Sequence, residues 1–271
     1  MLLHINDITL NVELGGAGPA LLLLHGFTGG AETWRPHVAR LAPHRRTIAV
    51  DLIGHGRSDA PPDAGRYRME RCVDDLLALL DSLGVARADL LGYSMGARVA
   101  LQLAAAAPER ARALVVESGS PGIADPAERA ARVASDAALA DSIERDGLAA
   151  FVDRWERLPL FASQADLPRA TRARLRAQRL RNSPRGLANS LRGMGAGSQS
   201  PLWDRLTELD MPALLIAGER DTKYCVIARA MAASLPAAQV AVVPGAGHAV
   251  HLEQPDLFTR AVLRFLGGAE A

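Results

Sequence analysis

The stretch ADLLGYSMGARVALQLAAAA, Ala88 to Ala107, decides the fold. The run ADLL reads as a buried strand and ARVALQLAAAA as a helix, with Gly92-Tyr93-Ser94-Met95-Gly96 between them. A G-x-S-x-G in this strand–turn–helix setting holds its serine on a strained elbow, with the hydroxyl above the sheet edge. The small residues Gly92 and Gly96 allow the tight turn.

Working outward, Ala20 to Leu24, Thr47 to Val50, Ala113 to Val116, Ala213 to Ala217 and Val240 to Val243 show the same lack of alternation. Strands of a parallel sheet covered on both faces look like this. Helical spacing fills several intervals, clearest in Met69, Val73, Leu76, Leu77, Leu80 and Leu83, closed by Gly84. Alternating strand and helix predicts an open α/β fold. Ile8 to Leu14 alternates up to Gly15, Gly16, Gly18 and Pro19, which predicts an antiparallel strand at a sheet edge. From Pro121 to Arg205 buried-strand runs give way to arginine-rich helical segments, and Pro212 reopens a strand. The expected division is a core of residues 1–120 and 206–271 with a helical cap, 121–205, inserted in it.

A serine hydroxyl is a weak nucleophile and base near neutrality, so it needs a histidine, which needs an acid to fix its tautomer. Asp221 ends PALLIAGERD and His248 follows AVVPGAG, each just beyond a strand, where open α/β sheets keep their sites. Glu117, at the end of the strand before the cap, competes for the acid role. His251 reads as a surface or supporting residue, and His37 and His44 lack strand-end context. His25 opens His25-Gly26-Phe27 after ALLLL, the place of an oxyanion loop, and is expected to be a structural hydrogen-bonder. The donors there would be the backbone N–H groups of Phe27 and Met95.

The 271 residues, 49% hydrophobic and 23% charged, are ordinary for a globular protein, so disorder is not expected. With 31 Lys+Arg against 30 Asp+Glu there is no field to attract nucleic acid. No apolar run is long enough for a membrane span, and MLLHINDITL breaks before a signal-peptide core forms, so a cytoplasmic protein is expected. Cys72 and Cys225 cannot build a disulfide framework and have no metal-site spacing; both are expected to be buried.

HGFTG, Trp34, DLIGHGRSD, GYSMG, GERD and PGAGH together resemble the α/β-hydrolase superfamily across nearly the whole chain. Arg98, ESGSPGI with Glu128 and Arg132 beyond it, WERLPLFAS and QRLRNSPRGLANSLRGMGAGSQSPLW resemble, more narrowly, the 2-succinyl-6-hydroxy-2,4-cyclohexadiene-1-carboxylate (SHCHC) synthase family. That resemblance implies a lyase of menaquinone biosynthesis. It would take 2-succinyl-5-enolpyruvyl-6-hydroxy-3-cyclohexene-1-carboxylate, abstract a proton and release pyruvate without a cofactor or metal. Carried over, Ser94 would be the base, His248 would take its proton and Asp221 would orient His248. Tyr93, Arg98, Arg132, Trp155 and Arg179 would bind substrate. Ala97 and Tyr224 depart from the family, where glycine and phenylalanine are common.

A substrate with three carboxylates calls for guanidinium forks. Eight arginines and no acid lie between Arg169 and Arg192, most of them expected on a solvated helix face. Arg98 differs, because it starts the helix behind the serine on an otherwise apolar stretch. A buried arginine there needs a ligand carboxylate or a protein acid. Trp155 and Trp203 serve equally as cap packing, and Arg57 and Asp59 as loop ties. The same residues would also suit a hydrolase in which Ser94 attacks an ester, thioester or carbon–carbon bond. A receptor that keeps the fold but turns nothing over is disfavoured by the intact Ser94, Asp221 and His248. Oligomeric state is not legible.

Overall fold

A computed structural model describes residues 1–267. Eight strands form one sheet: β1 (Leu2–Ile5), β2 (Ile8–Gly15), β3 (Ala20–Leu24), β4 (Arg46–Val50), β5 (Ala88–Tyr93), β6 (Ala111–Glu117), β7 (Ala213–Gly218) and β8 (Ala238–Val243). Their spatial order is β1-β2-β4-β3-β5-β6-β7-β8. The pairs β1–β2 and β2–β4 are antiparallel and the rest are parallel.

The helices are α1 (Arg35–Leu41), α2 (Met69–Ser82), α3 (Met95–Ala106), α4 (Pro126–Trp155), α5 (Arg169–Arg179), α6 (Pro184–Met194), α7 (Thr222–Ala232), α8 (Val250–Glu253) and α9 (Pro255–Phe265). They cover the sheet on two faces. One core packs α2 and α3 against β3, β5 and β6, and the other packs Trp34, Val250, Phe258 and Val262 on the opposite face. No helix among the described residues is long and apolar enough to cross a membrane.

The strands β3, β5, β6 and β7 match their apolar runs because both faces are covered. Two expectations are corrected. β2 is antiparallel but not at the edge, since β1 pairs outside it. β1 is only four residues long, too short for its alternation to register against the sequence beside it. β8 is not buried on both faces: it ends the sheet, and Val240 and Val242 are exposed. Apolar character alone cannot tell an edge strand from a central one.

The chain between β6 and β7 is helical. There α4 and α6 build a third, small core from Ala140, Ile143, Phe151, Val152, Leu187, Ala188 and Leu191. Asp125 caps α4 by accepting from the Glu128 N–H at 2.8 Å, with Pro126 at its first position. Gly147, at φ +81°, breaks α4 before Phe151 and Trp155. A 3₁₀ turn, Pro159–Asp166, then lies over the loop that carries His248.

Candidate active site

Ser94 links β5 to α3 with φ +51° and ψ −107°, a strained conformation for a residue with a Cβ. The turn closes because its neighbours have no side chain. A Cβ on Gly92 would stand 2.2 Å from the Gly96 carbonyl oxygen, and one on Gly96 2.1 Å from that of Leu24. The Ser94 N–H is tied to the Glu117 carbonyl at 2.9 Å.

Three strand ends deliver the reacting groups. His248 Nδ1 lies 2.7 Å from Asp221 Oδ2, and its Nε2 lies 3.0 Å from Ser94 Oγ. A carboxylate can only accept, so Nδ1 carries the proton and Nε2 accepts from the serine hydroxyl. Asp221 also caps α7, its Oδ1 accepting the Tyr224 N–H at 3.3 Å.

The N–H groups of Phe27 and Met95 donate to no group among the described residues. Met95 is the first residue of α3, whose positive dipole end faces the same way. The Phe27 N–H is aimed by its own peptide plane. The Gly26 carbonyl on the opposite side accepts from His25 Nδ1 at 2.8 Å and from the Gly29 N–H at 2.9 Å. His25 Nε2 accepts the Leu52 N–H at 3.0 Å, which sets the tautomer, and burial lowers its pKa. His25 therefore serves the backbone, as expected. Asn182, from the segment between α5 and α6, donates to the Thr28 carbonyl at 2.9 Å and accepts the Gly56 N–H at 2.9 Å. That residue ties the helical insertion to the loop after β3 and to the 51–59 loop.

Arg98, four residues behind Ser94, has no acidic hydrogen-bond partner among the described residues. Its guanidinium donates to the Met194 carbonyl at 2.8 Å and to Gln199 Oε1 at 3.2 Å. Burial pushes it down to about 10, so it stays charged at neutral pH. Arg132, whose charge is felt at both Arg98 and Tyr224, is half-exposed and pairs with Asp136 at 2.8 Å. No protein acid hydrogen-bonds Arg98 among the described residues; the acidic charge felt there is that of Asp136, which is paired with Arg132.

Arg179 sits apart from those two. It is buried, donates to Glu156 at 2.9 Å and Gln164 at 3.2 Å, and lies over the Phe161 ring. It lines a small cavity of about 40 Å³ with Phe27, Tyr93, Trp155 and His251. Trp155 packs on Phe27, Phe151 and Phe161 at 5.3–5.4 Å, so its packing and cavity-lining roles coincide. Trp203, by contrast, donates to the Gly122 carbonyl at 2.9 Å. A larger cleft, about 420 Å³, opens on the Asp221–His248 side beneath the 3₁₀ turn.

Other residues resolve as follows. Asp51, more than Asp59, holds the 51–59 loop, accepting from Ala31 N–H, Arg57 N–H and Asn11. Of the arginine run, Arg176, Arg179, Arg181 and Arg192 are paired to acids. Both cysteines are buried. Ala97 presses on Gly119, where an added Cβ would come within 2.6 Å. His251 is not a surface residue. It is 1% exposed and bound to the fully buried Glu117, which therefore does not serve as the acid for His248. Phe161 was not singled out in the sequence, and Tyr224, noted there only as a departure from the family and expected away from the chemistry, is beside it: their rings lie 6.1 and 4.8 Å from His248. For Tyr224 the departure from the family pattern was the available signal.

A family model described as the α/β hydrolase fold matches residues 19–255. A Klebsiella pneumoniae (strain 342) protein named 2-succinyl-6-hydroxy-2,4-cyclohexadiene-1-carboxylate synthase is 36% identical over 90% of this chain and 92% of its own length. A Bacillus subtilis (strain 168) protein to which that name is given provisionally is 48% identical over 92% of this chain and 91% of its own. Among solved structures, MenH from S. aureus superposes with a TM-score of 0.91 at 35% identity, covering 95% of this chain and 97% of that one. The enol-lactonase from Burkholderia xenovorans LB400 superposes at 0.83 with 26% identity, covering 98% and 100%.

Proposed function

Because the chain belongs to the α/β-hydrolase fold family and, within it, to the SHCHC synthases, we propose that Ser94 works as a base and not as a nucleophile. The enzyme is a lyase. Its substrate is 2-succinyl-5-enolpyruvyl-6-hydroxy-3-cyclohexene-1-carboxylate, and its step belongs to menaquinone biosynthesis.

The Ser94 hydroxyl proton passes to His248 Nε2 across their 3.0 Å contact as Oγ takes a substrate proton α to a carbonyl. Asp221 holds the imidazole in the receiving tautomer and stabilises the imidazolium. The electron pair from the C–H bond builds enolate charge, which the N–H groups of Phe27 and Met95 stabilise as they would a tetrahedral oxyanion. When that charge returns, a double bond forms from the deprotonated ring carbon, the existing ring double bond shifts one position along, the C–O bond to the enolpyruvyl group breaks, and the proton held by the triad completes pyruvate. Substrate equals product plus pyruvate, with no water or cofactor consumed.

Arg98 carries this reading. A charged guanidinium hydrogen-bonded only to neutral oxygens, one turn behind Ser94, with Asp136 near but already paired to Arg132, is what a carboxylate-bearing substrate needs. Arg132 would add to that subsite, while Tyr93, Trp155 and Arg179 bind from the other side. We take residues 121–205 as a cap bringing these side chains over the triad. On the same reading the enzyme acts in the cytoplasm on a freely diffusing polycarboxylate.

The enol-lactonase likeness supports a second reading, in which Ser94 attacks an ester and water resolves the acyl-enzyme. The two are separated by assaying pyruvate release and diene absorbance with the cyclohexene tricarboxylate beside cleavage of a short-chain p-nitrophenyl ester, each with Ser94→Ala as control. Ser94-dependent pyruvate release with feeble esterase activity is expected. Fast ester cleavage without pyruvate would establish the hydrolase.

A further inference from the structure

Behind the triad lies a second acid–histidine pair that the chemistry above does not use. Glu117, the last residue of β6, and His251, in α8, are 0% and 1% exposed. The two Glu117 oxygens lie 2.8 and 2.9 Å from His251 Nδ1, and one of them also accepts the His251 N–H at 2.9 Å. The carbonyl of the same Glu117 accepts the Ser94 N–H at 2.9 Å. One residue thus holds both the serine elbow and, 134 positions later, the segment that carries His248.

The other carboxylates that bind that segment's backbone do not perform this task. Glu253 accepts the N–H groups of Gly247 and Ala249 at 2.6 and 3.2 Å, which stiffens the loop around His248 but ties it only to itself. Glu219 accepts the Gly245 N–H at 3.0 Å and so refers the loop to the end of β7. Among the described side chains, Glu117 is the one that refers it to the elbow. Nor does the pair extend a proton relay, because His251 Nε2 is buried without a partner. The Tyr93 ring fills the space between, 4.6 Å from the His251 ring and 5.4 Å from that of His248.

We propose that Glu117 and His251 are positioning residues that set the approach of His248 Nε2 to Ser94 Oγ. This rests on the roles assigned above to Ser94 and His248. A buried carboxylate is costly unless its hydrogen bonds are complete, so the clamp is stiff. Its loss would let the loop drift by a fraction of an ångström to an ångström, enough to cost up to roughly 100-fold in rate.

The test compares Glu117→Gln, His251→Leu and His251→Asn. The asparagine amide can still donate to Glu117. The readouts are kcat and KM on the cyclohexene tricarboxylate, thermal midpoint, and the downfield proton resonance of the His248 Nδ1–H, which needs no substrate. We expect Glu117→Gln and His251→Leu to lose roughly 10- to 100-fold in kcat with KM nearly unchanged and to shift or broaden that resonance. His251→Asn should recover most of the loss. If one variant fails to fold, the others decide. A lowered thermal midpoint with unchanged kcat and resonance would reduce the pair to packing and overturn the proposal. If even the wild type released no pyruvate, the lyase reading would fail while the resonance still judged the clamp.

Discussion

The sheet and the helical insertion would build their halves of the proposed site by different means. β3 and β7 are buried along their whole length, and Ser94, Asp221 and His248 hang from or just beyond strand ends fixed by a continuous ladder. The insertion keeps a third core of seven buried residues, and many of its arginines reach acids only at the surface. Proton transfer needs reacting atoms placed to a fraction of an ångström, which close-packed strands supply. Substrate binding tolerates a thinner, more adaptable layer.

That contrast ranks the expected losses. His248→Ala, on the sheet side, should lower kcat by several orders of magnitude with the fold intact, read from pyruvate release and circular dichroism. Near-normal turnover would remove it from the triad.

Arg98→Ala should cost roughly 2–5 kcal/mol in kcat/KM, because it breaks a desolvated pair between the guanidinium and a substrate carboxylate. An unchanged kcat/KM would assign Arg98 to holding Met194 and Gln199. Arg179→Ala should cost less, roughly 1–3 kcal/mol and mainly in KM, because Glu156 and Gln164 already satisfy its hydrogen bonds. A larger loss than that of Arg98→Ala would invert the ranking of the two regions.

Acid stability sharpens the comparison from the core side. Burial pushes His37 and His55 down to about 3, each further lowered by a neighbouring histidine. The unfolded chain takes up these protons near pH 6.5, whereas the native state refuses them until about pH 3. Stability is therefore full above pH 6.5 and falls with acid towards pH 3, at up to about 2.7 kcal/mol per pH unit from both together. Urea midpoints across that window, for the wild type and His37→Asn, should show a shallower slope in the variant; equal slopes would mean His37 does not resist protonation. The smallest effect concerns Cys72, whose thiol burial pushes up to about 12. Neither cysteine should react with a thiol reagent at pH 8 until the chain is denatured.

What the chain could declare by itself was what depends on neighbours in sequence. The elbow was legible because Gly92, Ser94 and Gly96 make one local turn, and the order Ser94, Asp221, His248 because each follows its own apolar run. The backbone role of His25 was legible for the same reason. Tertiary structure decided what depends on residues far apart. It placed β1 outside β2 and left β8 at the edge, since pairing partners are not written in a strand's own residues. It gave Arg98 two neutral acceptors and, among the described residues, no hydrogen-bonded acid, which no count of nearby charges along the chain could reveal. It also decided between the two readings of His251, surface or supporting, in favour of the second, because a buried carboxylate must find its donors wherever the topology brings them.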